Sequence, residues 1–168
     1  MVEKQHLKND SALWHKLLDS EIAFITARMH FHAACTEKVA VIQKALQDPV
    51  QRGTALRYLL YMTIEERQQL FGDLLYLASV GHADIALCRE VILSLPRAWV
   101  ISNIESRAQP LLTQGTDEEY RRLLELYVNL ARNLAYRLAT RALQHNDADI
   151  REVGEDFIDY LKKGDFSS

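Results

Sequence analysis

Apolar residues recur at steps of three and four along nearly the whole chain, and this spacing constrains the fold more than any other feature. Near the N-terminus the stripe consists of Trp14, Leu18, Ile22, Ile25 and Met29. Residues three and four apart share one face of an α-helix, whereas a half-buried strand needs strict alternation. No segment alternates convincingly. The sequence therefore predicts an all-α protein with about seven to nine helices.

Capping signals divide the chain into these helices. Asp48 has the character of an N-cap, and Pro49 follows at the first helical position, where its missing N–H costs nothing. TIEE at Thr63–Glu66 and TDEE at Thr116–Glu119 are capping boxes, in which two side chains satisfy two free backbone donors. Each signal predicts a helix that starts at the next residue.

Three further predictions concern where helices continue, end or break. Apolar spacing predicts one helix from Ile64 through Ala78. Pro110 is expected to end or kink the helix that starts at Pro96, because an internal proline removes a hydrogen bond and clashes with the previous turn. The longest periodic stretch follows Thr116 and is expected to break near residues 129–133.

Helix starts recur about every 33 residues, a spacing typical of stacked helical hairpins. These starts lie near Asp48, His82, Gly115 and Asp147. Asp48 is followed four residues later by Arg52, and Asp147 by Arg151, which places each acid and arginine on one helix face. The start at His82 has Ala86 where an arginine is expected. Each hairpin must stack on its neighbour to bury its apolar face.

Asp48-Pro49-x-x-Arg52-x-x-Ala55 and Asp147-x-x-x-Arg151 resemble the opening of HEAT-like (armadillo-type) repeats, especially their shorter class. The resemblance implies a right-handed stack of antiparallel helix pairs that serves as a scaffold for protein recognition. We expect a single domain of residues 1–168, with capping helices in 1–47 and HEAT-like repeats in 48–168. Tetratricopeptide or ankyrin repeats fit the spacing too, but their sequence signatures are absent.

Composition narrows the functional classes. Hydrophobic residues make up 48% of the chain, which argues against disorder. A formal net charge of -3 argues against an overall basic nucleic-acid-binding surface. Cys35 and Cys88 are isolated, so neither a disulfide framework nor a CxxC motif is available. No apolar run approaches membrane-spanning length. We therefore expect a soluble cytoplasmic protein without a membrane partner.

Catalytic and metal-binding motifs are not found in the sequence. His30 and His32 are two apart, so on a helix they point about 200° from each other and cannot share an ion there. The chain has no HExxH motif, no His-Glu dipeptide, no GxSxG motif and no glycine-rich phosphate loop. We therefore expect no metal, no cofactor and no catalytic activity.

The HEAT-like resemblance also implies that the second helices of each pair line a concave recognition surface. Candidate residues for binding a protein partner there are Arg67, Phe71, Arg97, Arg107, Arg137 and Arg141. Arg137, Arg141 and His145 follow at steps of four and predict a basic ridge if their helix is continuous. The expected function is a protein-interaction module or adaptor. Two alternatives stay open: a nucleic-acid binder that uses the same arginines, and a plain helical bundle acting as a regulatory homodimer.

Overall fold

The computed structural model describes residues 2–163, and the side chains of residues 9–163. These residues form ten α-helices and no strand, so the all-α prediction is confirmed. In chain order the helices are α1 (Val2–Ala34), α2 (Lys38–Gln47), α3 (Pro49–Leu59), α4 (Ile64–Gln69), α5 (Phe71–Ala78), α6 (Ile85–Leu93), α7 (Arg97–Gln114), α8 (Asp117–Leu130), α9 (Arg132–Leu143) and α10 (Ala148–Lys163).

The chain divides into two compact units, and the boundary between them falls between Ala40 and Val41, inside α2. The first unit contains α1, and the second contains most of α2 and all of α3 to α10. The sequence predicted capping helices up to residue 47, so the observed boundary lies within the second of those two helices. The two units differ in construction, since the first consists mainly of one long helix and the second consists of many shorter helices.

The first unit is dominated by one helix. α1 has 33 residues and includes the predicted stripe from Trp14 to Met29. Large apolar side chains on this helix are exposed over 37% to 65% of their surface. They are Leu13, Trp14, Leu17, Ile22, Phe24, Ile25 and Met29. Isolated helices in water gain little from propensity alone, so such a surface normally needs a partner.

Predicted helix starts are found in the second unit. Asp48 caps α3, and its side chain accepts from the backbone N–H of Val50 at 2.9 Å. Thr63 and Glu66 form the capping box of α4. The second capping box, at Thr116 and Glu119, starts α8. These local signals succeed because each satisfies backbone donors that no helix can satisfy internally.

The predicted helix over residues 64–78 is broken at Leu70, which has φ −92° and ψ 3° and separates α4 from α5. This break helps raise the number of helices in the described chain to ten, above the expected seven to nine. The apolar residues Phe71, Leu74 and Ala78 all belong to α5. Spacing alone therefore carried no sign of the break.

Pro110 does not end its helix, since α7 continues to Gln114. Pro110 and Ser106 are both exposed. The Ser106 carbonyl, which loses its helical donor at Pro110, can therefore turn to water. The predicted break near residues 129–133 is confirmed, because Ala131 has an extended backbone between α8 and α9.

The core of the second unit lies between neighbouring helices. α5 packs against α4, α6, α7 and α8, while α9 packs against α8 and α10, and α3 packs against α6. Phe71, Tyr120 and Tyr127 are among the largest side chains that are fully buried. The helices α3 and α5 to α10 all contribute buried apolar residues, whereas α4 contributes none. The core is therefore shared by nearly all helices of this unit.

Candidate functional site

The six residues predicted to bind a partner lie in different environments. Phe71 is only 1% exposed and packs edge-on against the ring of Trp99, with centroids 5.1 Å apart. It is a core residue and is not presented to a partner. Arg67 donates from Nη1 to the Ser94 hydroxyl at 2.6 Å, which ties α4 to the end of α6. Arg107 is exposed on α7.

Arg137 and Arg141 lie one turn apart on α9 and face α7. Arg137 forms a two-pronged ion pair with Glu105, with distances of 2.9 and 2.8 Å. This hydrogen bonding raises the pKa of Arg137. Arg141 donates to the side-chain oxygen of Gln109 at 2.6 Å. The charge of Arg137 is therefore balanced by Glu105 on α7, while Arg141 is hydrogen-bonded to an uncharged side chain of α7.

The predicted ridge of three basic residues is shorter than expected. α9 ends at Leu143, so His145 lies beyond the helix that carries Arg137 and Arg141. The His145 ring instead lies against the ring of Tyr120, with centroids 5.6 Å apart, and its Nδ1 accepts from the backbone N–H of Asp147. The ridge interpretation was wrong for His145, because the helix on which the spacing depended stops first.

A pocket of about 150 Å³ lies between α7, α8 and α9. Its lining residues are Glu105, Gln109, Leu112, Tyr127, Arg137, Leu138 and Arg141. Tyr127 is almost fully buried, and its hydroxyl has no hydrogen-bond partner among the described residues. Burial raises the pKa of Tyr127, and the charge of Glu105 raises it further. The phenol therefore stays protonated, and Tyr127 contributes to the wall of the pocket.

A wider groove of about 660 Å³, which we call the α7–α9 groove, opens beside this pocket. It is lined by Arg97, Ala131, Arg132, Asn133, Tyr136 and Arg137. Arg97 donates from Nε to the Leu130 carbonyl at 2.8 Å, and Arg132 donates to the Leu161 carbonyl. These bonds hold the two arginines at the rim. Tyr136 is 51% exposed and offers an aromatic face.

The groove and the pocket share one lining residue, Arg137, and together they make up the candidate site. Sequence reasoning identified Arg97, Arg137 and Arg141 but missed Arg132, Tyr136 and Tyr127. A usable signal for Arg132 and Tyr136 was the expected break near residue 131, because it places both in the first turns of a new helix, four residues apart and on one face. No sequence signal marks the buried hydroxyl of Tyr127.

Hydrogen-bond donors dominate this site. Arg97, Arg132, Arg137 and Arg141 are cationic, and Glu105 is the single carboxylate that lines it. Guanidinium groups bind carboxylates and phosphates in a planar, two-pronged geometry. The arrangement therefore suits a ligand that carries negative oxygen atoms.

Within the described part of the chain, no three His, Cys, Asp or Glu side chains come together in a group that could hold a metal ion. None of the described helices combines the length and the apolar character needed to cross a membrane. Comparison with protein-family models, curated proteins and solved structures found no match to this chain.

Proposed function

We propose that this protein is an interaction module built on HEAT-like helical repeats, and that the α7–α9 groove binds an acidic segment of a partner protein. The observation that carries the proposal is the combination of four arginines, an exposed tyrosine and a neighbouring pocket with an unpartnered phenol. Arginine and tyrosine are enriched at protein interfaces, and arginine clusters recognise acidic motifs.

The repeat part of the proposal is supported by matching geometry at the two Asp-x-x-x-Arg starts. Asp48 accepts from the backbone N–H of Val50 at 2.9 Å, and Asp147 accepts from that of Asp149 at 2.8 Å. In both starts the arginine donates to the backbone carbonyl six residues before it. Equal contacts at equal offsets are expected if both segments are copies of one structural unit.

Contacts between helices also follow the proposed period. Glu105 pairs with Arg137, and Gln109 with Arg141, and both pairs are separated by 32 residues. This separation is close to the spacing of about 33 residues between helix starts. In a HEAT-like stack such pairs join second helices of successive hairpins, so α7 and α9 would line the same recognition surface.

The binding mode follows from the donors. The backbone of an acidic peptide would lie along the groove, against the ring of Tyr136. One carboxylate would enter the 150 Å³ pocket and accept hydrogen bonds from the Tyr127 hydroxyl and the Arg141 guanidinium. Hydrogen bonds to charged groups contribute about 1.5–3 kcal/mol each. Loss of one should weaken binding by roughly tenfold to a hundredfold.

Selection of a random-peptide display library on the full-length chain tests the proposal. We expect enrichment of peptides that contain Asp or Glu, which are then synthesised and measured by fluorescence anisotropy. Tyr136→Ala and Arg141→Gln should each weaken binding at least tenfold. Arg107→Gln is the matched control, because its position on α7, 200° around the helix from Glu105, directs it away from α9.

Two outcomes would contradict the proposal. One is selection of peptides without acidic residues, and the other is an equal loss of binding in Arg107→Gln. The nucleic-acid alternative is examined with an oligonucleotide of the same length over a range of salt concentrations. Tighter binding to the oligonucleotide than to the peptide, with a steep salt slope, would favour that alternative.

A further inference from the structure

We propose that α1 mediates antiparallel self-association, in which two copies of this chain pair through their α1 helices. The interface would be centred between Phe24 and Ile25, so that Glu21 of each copy faces Arg28 of the other. This inference concerns the first unit alone and does not depend on the α7–α9 groove.

Apolar side chains are concentrated on one half of α1. At 100° per residue, Leu13, Leu17 and Phe24 fall along one edge of the helix. A second edge carries Leu18, Ile22, Ile25 and Met29. Together the two edges bound one half of the helix, and all of these side chains except half-buried Leu18 are exposed. A helix surface of this kind is stabilised by packing against another helix.

Between these two edges, a row of three residues contains two charged side chains. Trp14, Glu21 and Arg28 are spaced seven residues apart, so they follow one line along the middle of the apolar half. Glu21 is exposed, and Arg28 lies with its guanidinium carbon 5.6 Å from the centre of the Phe24 ring. Two opposite charges are thus set into the centre of an otherwise apolar surface.

Charge complementarity selects the partner and its direction. A parallel pair would place Glu21 against Glu21 and Arg28 against Arg28, and like charges in an interface disfavour that arrangement. An antiparallel pair centred between Phe24 and Ile25 forms the Glu21–Arg28 pair twice. The same symmetry brings Leu17 of one copy level with His32 of the other. Polar residues at such positions are known to set the register and direction of helix pairs.

The partner that best complements the apolar half of α1 is therefore a second copy of this chain. The complementary charges both lie on α1, so the surface complements itself under two-fold symmetry, as an isologous interface requires. The apolar stretch from Leu13 to Phe31 covers about 28 Å of helix.

Charge reversal tests the proposal on the full-length chain. Sedimentation equilibrium should find a dimer for the wild type. Glu21→Arg and Arg28→Glu should each raise the dissociation constant at least tenfold, because each places like charges opposite one another. The double variant Glu21→Arg/Arg28→Glu should return the dissociation constant to within about threefold of wild type. Restoration by the second substitution excludes misfolding as the cause of the loss.

Matched controls carry the same charge changes on the opposite face of α1. Asp19→Arg and Lys16→Glu lie away from the apolar half and should leave the dissociation constant unchanged. The proposal is overturned if the wild type is a monomer, if the single reversals leave the dimer intact, or if the double variant remains dissociated.

Disulfide cross-linking tests the direction of the two helices. In a Cys35→Ser background, Leu17→Cys and His32→Cys are prepared as separate variants, while Cys88 stays in place because it is fully buried. An antiparallel pair predicts a covalent dimer only when the two variants are mixed before oxidation. Covalent dimers of either variant alone, with none gained on mixing, would show a parallel pair and overturn the proposal.

Discussion

Arg52 donates a hydrogen bond from Nε to the backbone carbonyl oxygen of Leu46, 2.9 Å away. The carbonyl groups in the last turn of a helix have no helical donor, so an outside donor stabilises the end of α2. Arg151 makes the corresponding bond to His145 at 2.9 Å, at the connection that leads into α10. The arginine of each Asp-x-x-x-Arg start therefore joins its own helix to the segment before it.

Replacement of this arginine should weaken the fold. Arg52→Gln removes a charged donor from a half-buried carbonyl, and we expect a loss of about 1.5–3 kcal/mol in the free energy of unfolding. Urea denaturation measures this change. Arg57→Gln, at an exposed position of the same helix, is the control and should cost less than about 0.5 kcal/mol. Equal effects of the two substitutions would contradict the role assigned to Arg52.

His82 takes over both roles at the start that lacks an arginine. Its Nδ1 accepts from the backbone N–H of Asp84 at 3.1 Å, so the proton lies on Nε2, which donates to the Leu77 carbonyl 2.9 Å away. His82→Ala should cost about 1–2 kcal/mol. His82→Asp combined with Ala86→Arg rebuilds the Asp-x-x-x-Arg start and should recover most of the loss. Failure of this double variant to exceed His82→Ala in thermal stability would refute the equivalence of the starts.

Gly154 lies on α10, close against the backbone of α9. A Cβ atom at this position would lie 2.8 Å from the backbone nitrogen of Leu143 and 2.9 Å from the carbonyl oxygen of Ala139. Because these are backbone atoms, Gly154→Ala should destabilise the fold by about 1–3 kcal/mol. Gly72→Ala is the control, since a Cβ there meets nothing within 4 Å and should stabilise α5 by about 0.5–1 kcal/mol. Opposite signs in thermal denaturation are expected.

Glu119 should make stability depend on pH. Burial alone would raise the pKa of Glu119, but hydrogen bonds from the backbone N–H and hydroxyl of Thr116 hold it below its ordinary value near 4.5. A lowered pKa in the folded state stabilises the fold above that ordinary value, and the contribution is lost as the pH falls through the folded value. Urea titrations between about pH 5 and pH 3 should therefore show a shallower loss for Glu119→Gln than for wild type. Glu152→Gln, on the exposed side of α10, controls for net charge.

Tyr127→Phe should separate binding from folding. The Tyr127 hydroxyl is buried and lacks a partner, so its removal should leave the free energy of unfolding unchanged or raise it slightly. In the proposed site the same hydroxyl donates to the ligand's carboxylate. Binding of a selected acidic peptide should therefore weaken while the melting temperature is kept or raised. Lower stability together with unchanged binding would contradict the proposed site.

Local signals explain how much of the fold could be predicted. The all-α class, the two capping boxes and the break at Ala131 all follow from residues within a few positions of one another. The break at Leu70 was not predicted, and of the two outcomes expected at Pro110, an end or a kink, the end is wrong because α7 continues to Gln114. At both places the local sequence is compatible with a continuous helix and with an interrupted one. Packing against other helices, or contact of the backbone with water, decides which of the two forms.

The candidate site could be predicted only in part. Arg97, Arg137 and Arg141 were identified from helix position and charge, but their partners Glu105 and Gln109 lie 32 residues away from Arg137 and Arg141. Which charges are matched across helices depends on how the helices pack. Phe71 was assigned to the recognition surface because the HEAT-like resemblance places second helices there, whereas its apolar spacing with Leu74 and Ala78 fits the buried face of α5.

By itself, the sequence determined the helical class and the side chains that cap α3, α4 and α8, because these depend on backbone hydrogen bonds made within one or two turns. Tertiary structure alone decided that Phe71 is core, that Arg137 meets Glu105, and that Tyr127 is buried beside a polar pocket. Those outcomes require side chains from α5, α7, α8 and α9 to meet. Their meeting depends on the free energy of packing several helices together, which no single segment encodes.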